Sequence, residues 1–420
     1  MDPCFETATG LGRAIRNGRL SSVEATEAHL QRIARINGSV NALVAVDRVG
    51  AMKAARAADR ALARSAGKKG AGLGPLHGVP ITIKEAFDVA GLRTTSSHPP
   101  LKDNIARSDA TLVARLRAAG VVILGKTNVP ELCMDFQTDS PLFGTTKNAW
   151  DAGRTAGGST GGGGVAVAAR LSLLEIGSDI GGSVRNPAHF NGIFSLKPSE
   201  WRVPGRGHVP DLPGQTRTVR YMGVFGPLAR SVADLETALR IIAGPDGNEA
   251  EAAPVPLGPS PVFKPIDLRI AVLDSNPLVR VSADTAAIIQ ATARLLGKAG
   301  AKVKRAEPAA FDWQQSWDDW SDLLQYEVRA LQPLAERERF FAKSRSPDPS
   351  VRSVARAAHL DMAQFFAVLD RRDRVIRQCE QFLDDYDAWL MPVMPDAAFI
   401  RQKQSAPLVI DGVAHPYFFA

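Results

Sequence analysis

Short apolar runs alternate with amphipathic segments through the middle of the chain, and this alternation limits the possible folds more than any other feature. Val79–Ile83 and Val121–Leu124 have the length and the β-branched content of buried strands. Between them, Asp109 is predicted to cap a helix that continues to Ala119, and Gly125–Asn128 is predicted to form a turn. Strand–helix–strand alternation with short links predicts a mostly parallel sheet that helices cover on both faces.

Helices are predicted on either side of this alternating core. Residues 1–66 form an N-terminal helical region, in which Ser21 and Glu24 have the spacing of a capping box. Residues 311–385 form a second helical region, whose tryptophans we interpret as packing residues. Residues 67–245 make up the core between them, and the whole chain is predicted to be a single domain.

The composition is that of a globular protein, and it excludes several other classes. Of the 420 residues, 45% are hydrophobic and 23% are charged, which excludes a chain that is disordered throughout. A net charge of +7 with 6% aromatic residues gives no signal of nucleic-acid binding. The N-terminus lacks the apolar run of a signal peptide, and no run of about 18 apolar residues predicts a membrane span. The three cysteines lack metal-ligand spacing and indicate reduced thiols, so a cytoplasmic location is expected.

Two Gly-Gly-Ser units, ending at Ser159 and at Ser183, are the strongest chemical signal in the chain. Glycine lets the main chain approach a ligand closely. We therefore interpret Asp179–Ser183 as a loop that presents consecutive N–H groups beside the Ser183 hydroxyl, as in an oxyanion hole with a nucleophile at its edge. The apolar flanks argue against a flexible linker. The segment also lacks the lysine of a phosphate loop and the strand that precedes a dinucleotide-binding loop.

Four collinear segments carry a family resemblance: GPLHGVPITIKEAFDVAG (74–91), DATLVARLRAAGVVILGKTNVPEL (109–132), the block from GGST to LKP (157–198) and GPLARSVADLETAL (226–239). In this order they resemble the amidase signature family of amide hydrolases. The resemblance extends from about Gly10 to Asp246 and continues more weakly beyond. It implies a three-layer α/β/α sandwich with a large mixed, mostly parallel central sheet.

The resemblance also implies a Ser–cis-Ser–Lys catalytic triad. The corresponding residues of this chain are Lys84, Ser159 and Ser183. In the family the peptide bond before the middle serine is cis, which corresponds to Gly158–Ser159, and that serine bridges the other two side chains by hydrogen bonds. The oxyanion donors correspond to the main-chain N–H groups of Ile180, Gly181, Gly182 and Ser183. Asp179 and Arg185 are expected to support this loop, and neither a metal ion nor an organic cofactor is implied.

The position of Lys84 has a physical meaning of its own. Most lysines are solvated surface charges. Lys84 instead directly follows the apolar run Val79–Ile83, so it is expected to be desolvated. Burial disfavours the ammonium form and lowers the pKa of a lysine, by up to about 3–5 units when burial is complete. A neutral amine at this position is able to accept a proton near neutral pH.

The function implied is hydrolysis of the carbon–nitrogen bond of a small-molecule amide through an acyl-enzyme, with release of ammonia or an amine and a carboxylic acid. A glutaminase subunit of a tRNA-dependent amidotransferase is one alternative, although Ser199–Gly205 differs from the Thr-Tyr-Gly continuation usual in that subunit. An inactive truncated homologue is another, since the chain ends at Ala420 where the family continues. The expected partner is the small-molecule amide, with neither nucleic acid nor a membrane. A homodimer is expected only on general grounds.

Overall fold

Contacts within the chain divide it into two units, Met1–Thr218 with Met222–Leu257 and Val219–Tyr221 with Gly258–Ala420. The prediction of a single domain over the whole chain stays a prediction. The computed structural model describes residues 2–65, 72–209, 219–329, 333–342, 355, 361–404 and 406–419.

The first unit is built around one six-stranded sheet. The strands described in this unit are β1 Leu43–Val46, β2 Pro80–Lys84, β3 Val122–Thr127, β4 Asp139–Ser140, β5 Gly144–Thr145, β6 Leu174–Asp179, β7 Phe194–Ser195 and β8 Val224–Ala229. Their order in the sheet is β1-β3-β2-β6-β8-β7, and β4 pairs with β5 in a separate ribbon. Strands β3, β2, β6 and β7 run in one direction, and β1 and β8 run in the other. The sheet is therefore mixed and mostly parallel, which confirms the prediction.

Helices cover both faces of this sheet. The helices described in the unit are α1 Ala8–Arg16, α2 Ser22–Val40, α3 Arg48–Arg64, α4 Thr111–Ala118, α5 Gly161–Ala168, α6 Arg185–Asn191 and α7 Val232–Ile242. Residues of α1, α4 and α7 share a buried apolar cluster with Ile123 of β3. Residues of α2, α3 and α5 share a second cluster with Val122 and Leu124, whose side chains leave the same strand on its opposite side. The unit thus has the three layers that the resemblance implies.

Of the two predicted helix caps, the capping box at Ser21 is confirmed and the N-cap of α4 is wrong. Ser21 and Glu24 form a complete capping box at the start of α2. Helix α4 begins at Thr111, and no side chain caps it. The carboxylate of Asp109 instead accepts a hydrogen bond from the Ala90 amide at 2.8 Å and pairs with Arg117 at 2.9 Å. These partners occupy the carboxylate oxygen atoms of Asp109 that would otherwise accept hydrogen bonds from the first amides of α4.

The predicted turn at Gly125–Asn128 is also wrong, because β3 continues through Thr127. Gly125 has a φ of +155°, and a Cβ at this position would lie 2.0 Å from the Ala45 carbonyl oxygen of β1. Glycine here permits the close approach of β1, next to the point between Lys126 and Thr127 where the register of the two strands shifts. The glycine that suggests a turn in the sequence therefore serves strand pairing.

The second unit contains a parallel three-stranded sheet in the order β10-β9-β11, together with the hairpin β12-β13. Its described elements are β9 Arg269–Val272, α8 Ala283–Lys298, β10 Lys302–Arg305, α9 Trp313–Arg329, α10 Leu334–Phe341, α11 Met362–Asp384, β11 Ala388–Leu390, β12 Leu408–Ile410 and β13 Val413–His415. Within the predicted helical region 311–385 the described helices are α9, α10 and α11, and of residues 343–360 the structure describes only Ala355. Within α9 the rings of Trp317 and Trp320 pack 5.0 Å apart.

Candidate active site

Lys84 is the last residue of β2, and its side chain is completely buried. Its Nζ lies 2.6 Å from Ser159 Oγ and 2.9 Å from Ser178 Oγ, and both distances are those of hydrogen bonds. The strand is apolar up to this residue, so sheet formation carries the amine into the interior. Two hydroxyl groups then become its neighbours where a surface lysine would have water.

Burial is the largest influence on the pKa of this amine. Desolvation lowers the pKa of Lys84, because the ammonium form loses its hydration in the interior. The nearby Cys133, Asp179 and Glu175 act in the opposite direction and moderate the shift. The net direction is downward, as the position of the lysine after an apolar strand predicts.

Ser159 lies in a glycine-rich loop just before α5, and it is 1% exposed. The Gly158–Ser159 peptide bond is cis, in agreement with the resemblance. Gly157 has a φ of +79°, and a Cβ on Gly158 would lie 2.4 Å from the Asp135 carbonyl oxygen. The Gly158 amide donates to Asn186 Oδ1 at 3.1 Å. The two glycines are therefore required by backbone conformation and by close approach, and they bring Ser159 to the lysine.

Ser183 lies in the loop that connects β6 to α6, and the main chain holds it next to Ser159. The amide of Thr160, the residue after Ser159, donates to the Ser183 carbonyl oxygen at 3.1 Å. Within the part of the chain that the structure describes, no hydrogen bond joins the Ser159 and Ser183 hydroxyl groups. The structure thus contains one of the two hydrogen bonds that the resemblance implies, between Lys84 and Ser159. Catalytic hydrogen bonds often tighten only once substrate is bound.

Asp179 organises the loop between β6 and α6. Its carboxylate accepts from the amides of Gly182 at 2.8 Å and Val184 at 3.0 Å, and from the Arg185 guanidinium at 2.7 and 3.0 Å. Burial alone would raise the pKa of Asp179, but the hydrogen bonds and charge of Arg185, together with the two amides, hold it below its usual value. A permanently charged anchor of this kind fixes the course of the loop, which is the supporting role expected for Asp179 and Arg185.

The same contacts correct one of the expected oxyanion donors. The Gly182 amide is already bound to Asp179, so it is not free to meet a substrate oxygen. The amides of Gly181 and Ser183 have no hydrogen-bond acceptor among the described residues, and both residues are partly exposed. These two N–H groups therefore remain the best candidates for the oxyanion donors, and Ile180 precedes them in the same loop.

Sequence reasoning missed two polar neighbours of the lysine. Ser178 provides the second hydroxyl group at Lys84 Nζ, although it stands directly before Asp179 in the segment already singled out. Glu175 is completely buried on β6. Its signal was a carboxylate within the otherwise apolar run Leu173–Ile176, where an ionisable group is unexpected. Elsewhere, no group of three or more His, Cys, Asp or Glu side chains suited to a metal ion occurs among the described residues.

Comparison with known proteins identifies the family. The sequence profile of the amidase family matches residues 24–414. An indoleacetamide hydrolase of Bradyrhizobium diazoefficiens is 37% identical over 387 residues, which are 92% of this chain and 71% of that protein. A solved structure of a fatty acid amide hydrolase superposes with a TM-score of 0.80 at 26% identity, and the match covers 95% of this chain and 69% of that one. The chain belongs to the amidase family, whose members hydrolyse amides.

A third relative bears on the alternative function. A glutamyl-tRNA(Gln) amidotransferase subunit of Acidothermus cellulolyticus is 42% identical over 252 residues. That alignment covers 60% of this chain and 48% of the relative, so the similarity spans about half of the relative's length. The match to the indoleacetamide hydrolase continues over far more of both proteins.

In the structure, the described residues include no helix with the length and apolar character needed to cross a bilayer.

Proposed function

We propose that this chain hydrolyses a small-molecule amide with Ser183 as nucleophile, Lys84 as general base and Ser159 as the proton relay between them. The observation that carries the proposal is the completely buried Lys84 amine, 2.6 Å from Ser159 Oγ. A buried, neutral amine beside a serine hydroxyl is the arrangement that Ser–Lys catalysis requires.

Acylation begins when the hydroxyl groups of Ser159 and Ser183 come within hydrogen-bond distance around the bound amide. Lys84 takes the Ser159 proton, and Ser159 takes the Ser183 proton. The Ser183 oxygen attacks the amide carbon, and a carbon–oxygen bond forms. The N–H groups of Gly181 and Ser183 donate hydrogen bonds to the carbonyl oxygen as negative charge develops on it. Because these donors are already in position, no reorganisation is needed during the reaction.

The proton then returns along the same path. Lys84 gives its proton back through Ser159 to the nitrogen of the leaving group, and the carbon–nitrogen bond breaks. Ammonia or an amine departs and leaves an ester on Ser183. Water attacks this ester with the same relay as base, and the carboxylic acid is released while the Ser183 hydroxyl is restored.

For the substrate, we propose a primary amide attached to an apolar or aromatic group. The indoleacetamide hydrolase, similar over 92% of this chain, supports this choice. A glutaminase function within an amidotransferase remains the alternative, but the shorter match to that relative and the divergent Ser199–Gly205 segment favour a free-standing amidase. An inactive homologue would have the same fold without turnover, and labelling of Ser183 by a fluorophosphonate distinguishes it.

The test is ammonia release from a panel of amides that includes indoleacetamide and glutamine. We expect Ser183→Ala and Lys84→Met to lower turnover at least ~1,000-fold. Lys126→Met is the matched control, since Lys126 is also completely buried but its Nζ donates to the Arg93 carbonyl oxygen and Thr94 Oγ1, away from the serines. Wild-type turnover by either site variant contradicts the proposal. Failure of a fluorophosphonate to label Ser183 in the wild-type protein would identify an inactive homologue.

A further inference from the structure

Glu175 is a completely buried carboxyl group that the proposed mechanism does not use. It lies on β6 directly beside Thr82 of β2, and Lys84 is two residues further along β2. Ile81, Ile83 and Ile176 point into the apolar cluster shared with α1, α4 and α7. Because side chains alternate along a strand, Glu175 lies on the opposite face of the sheet, together with Lys84. The carboxyl group and the amine therefore share the layer between the sheet and α5.

The surroundings of Glu175 do not support a charge. Its Oε1 accepts a hydrogen bond from Thr127 Oγ1 at 2.7 Å, whereas Oε2 has no hydrogen-bond partner. A buried carboxylate normally needs several donors or a cation bound directly to it. Gly163 of α5 seals the group, because a Cβ there would lie 2.4 Å from Glu175 Cγ and 2.6 Å from Cδ. A larger residue at this point would require the Glu175 side chain or the helix to shift.

The electrostatics agree with this geometry. Burial raises the pKa of Glu175 to about 8, against the nearby hydroxyl groups of Thr82 and Thr127 and against the charge of Lys84 whenever that amine is protonated. The charged or titratable groups that act on Lys84 are Glu175, Asp179 and Cys133. Asp179 is held as an anion by Arg185, so its charge does not change near neutral pH. Glu175 is therefore the carboxyl group near the amine whose charge does change above neutrality.

We propose that Glu175 is a positioning residue for the base: it stays protonated while amides are hydrolysed, and its ionisation slows the return of the proton from Lys84 to the leaving nitrogen. This inference rests on the proposed role of Lys84. A carboxylate that forms beside Lys84 stabilises the ammonium form, since opposite charges attract strongly in a low-dielectric interior. The ammonium then becomes a weaker acid. The proton that Glu175 loses goes to solvent, and no other bond changes.

The chemistry of the leaving group gives a specific readout. An amide nitrogen must be protonated before it departs, whereas an alkoxide or phenoxide leaves an ester with much less need of a proton. Stabilising the ammonium form leaves less neutral base for either substrate, but only the amide also needs the ammonium as an acid, so amide hydrolysis slows more than ester hydrolysis. A merely structural role of Glu175 would affect both substrates equally.

The experiment measures kcat/KM from about pH 6 to about pH 10 for an amide and for its matched ester. For the wild-type protein we expect amide hydrolysis to fall about tenfold as the pH rises through about 8, and ester hydrolysis to fall clearly less. Glu175→Gln should remove the fall. Glu85→Gln is the control, because Glu85 is also buried with a raised pKa but interacts with Lys126. It should retain the fall.

Two results would overturn the inference: an unchanged alkaline fall in Glu175→Gln, or an equal fall for the wild-type protein on the ester. If Glu175→Gln does not fold, Thr127→Val replaces it. That change removes the hydroxyl group that stabilises the carboxylate, so the fall should move to higher pH, and an unmoved fall contradicts the inference. Activity in Lys84→Met would instead refute the proposed function, whatever Glu175 does.

Discussion

Replacing Glu175 with glutamine has a thermodynamic consequence that does not depend on catalysis. The pKa of this carboxyl group is raised by burial from 4.5 to about 8. Between these two pH values the folded protein keeps a proton that the unfolded chain has released. A state that binds more protons is favoured at low pH, so this group makes the free energy of unfolding decrease as the pH rises. Glutamine has no such proton and lacks this contribution.

The expected magnitude follows from the width of the interval. One pH unit corresponds to about 1.4 kcal/mol for a group that differs by one proton between the two states. From about pH 5.5 to about pH 7 the unfolded carboxyl group is largely ionised and the folded one largely protonated. The free energy of unfolding of the wild-type protein should therefore fall by about 2 kcal/mol relative to that of Glu175→Gln over this interval.

Urea denaturation of both proteins at the two pH values measures this quantity. All other titrating groups are shared, so their contributions cancel in the difference between the two proteins. The opposite contribution of Lys84 cancels too, because a protonated Glu175 carries no charge to act on it over this interval. We expect the free energy of unfolding of Glu175→Gln to increase by about 2 kcal/mol relative to that of the wild-type protein as the pH rises. A difference that is the same at both pH values would refute the reasoning, because it would mean that the folded protein holds no extra proton at this position.

Two further predictions concern packing and the loop before α6. Gly163→Ala should destabilise the protein by about 1–3 kcal/mol in thermal unfolding, because the new methyl group meets Glu175 Cγ. The control is Gly38→Ala in α2, which should be neutral or slightly stabilising because nothing lies within 4 Å of that position. Asp179→Asn should lower kcat about 100-fold with a smaller change in stability, because the loop loses its ion pair to Arg185 and one acceptor for its amides. Steady-state kinetics at neutral pH test this, and an unchanged kcat would contradict the supporting role of Asp179.

The features that sequence analysis predicted correctly are those determined by local patterns. The strand that ends at Lys84 is an apolar run followed by one charge, and the capping box at Ser21 is a four-residue signal. The family resemblance added what no local pattern contains, namely that Lys84 and Ser159, 75 residues apart in the chain, meet at 2.6 Å. The layers of the first unit followed from the alternation of strands and helices.

Two of the three features that were missed depend on tertiary contacts. Gly125 looks like a turn residue until β1 is found against it. The Gly182 amide looks like an oxyanion donor until the Asp179 carboxylate is seen to bind it. Glu175 has no partner nearby in the sequence, and its meaning depends on a neighbouring strand and on the space that Gly163 leaves. For Gly125 and Glu175 the determining atoms come from distant parts of the chain, whereas Asp179 is only three residues from Gly182.

Mass spectrometry of a trapped acyl-enzyme tests the central claim most directly. The wild-type protein would be mixed with an activated ester of an aromatic acetic acid, quenched in acid within milliseconds and digested. The account predicts a single acyl group on the peptide that contains Ser183, and its absence from Lys84→Met treated in the same way. An acyl group on another residue, or an equal yield from Lys84→Met, would contradict the account.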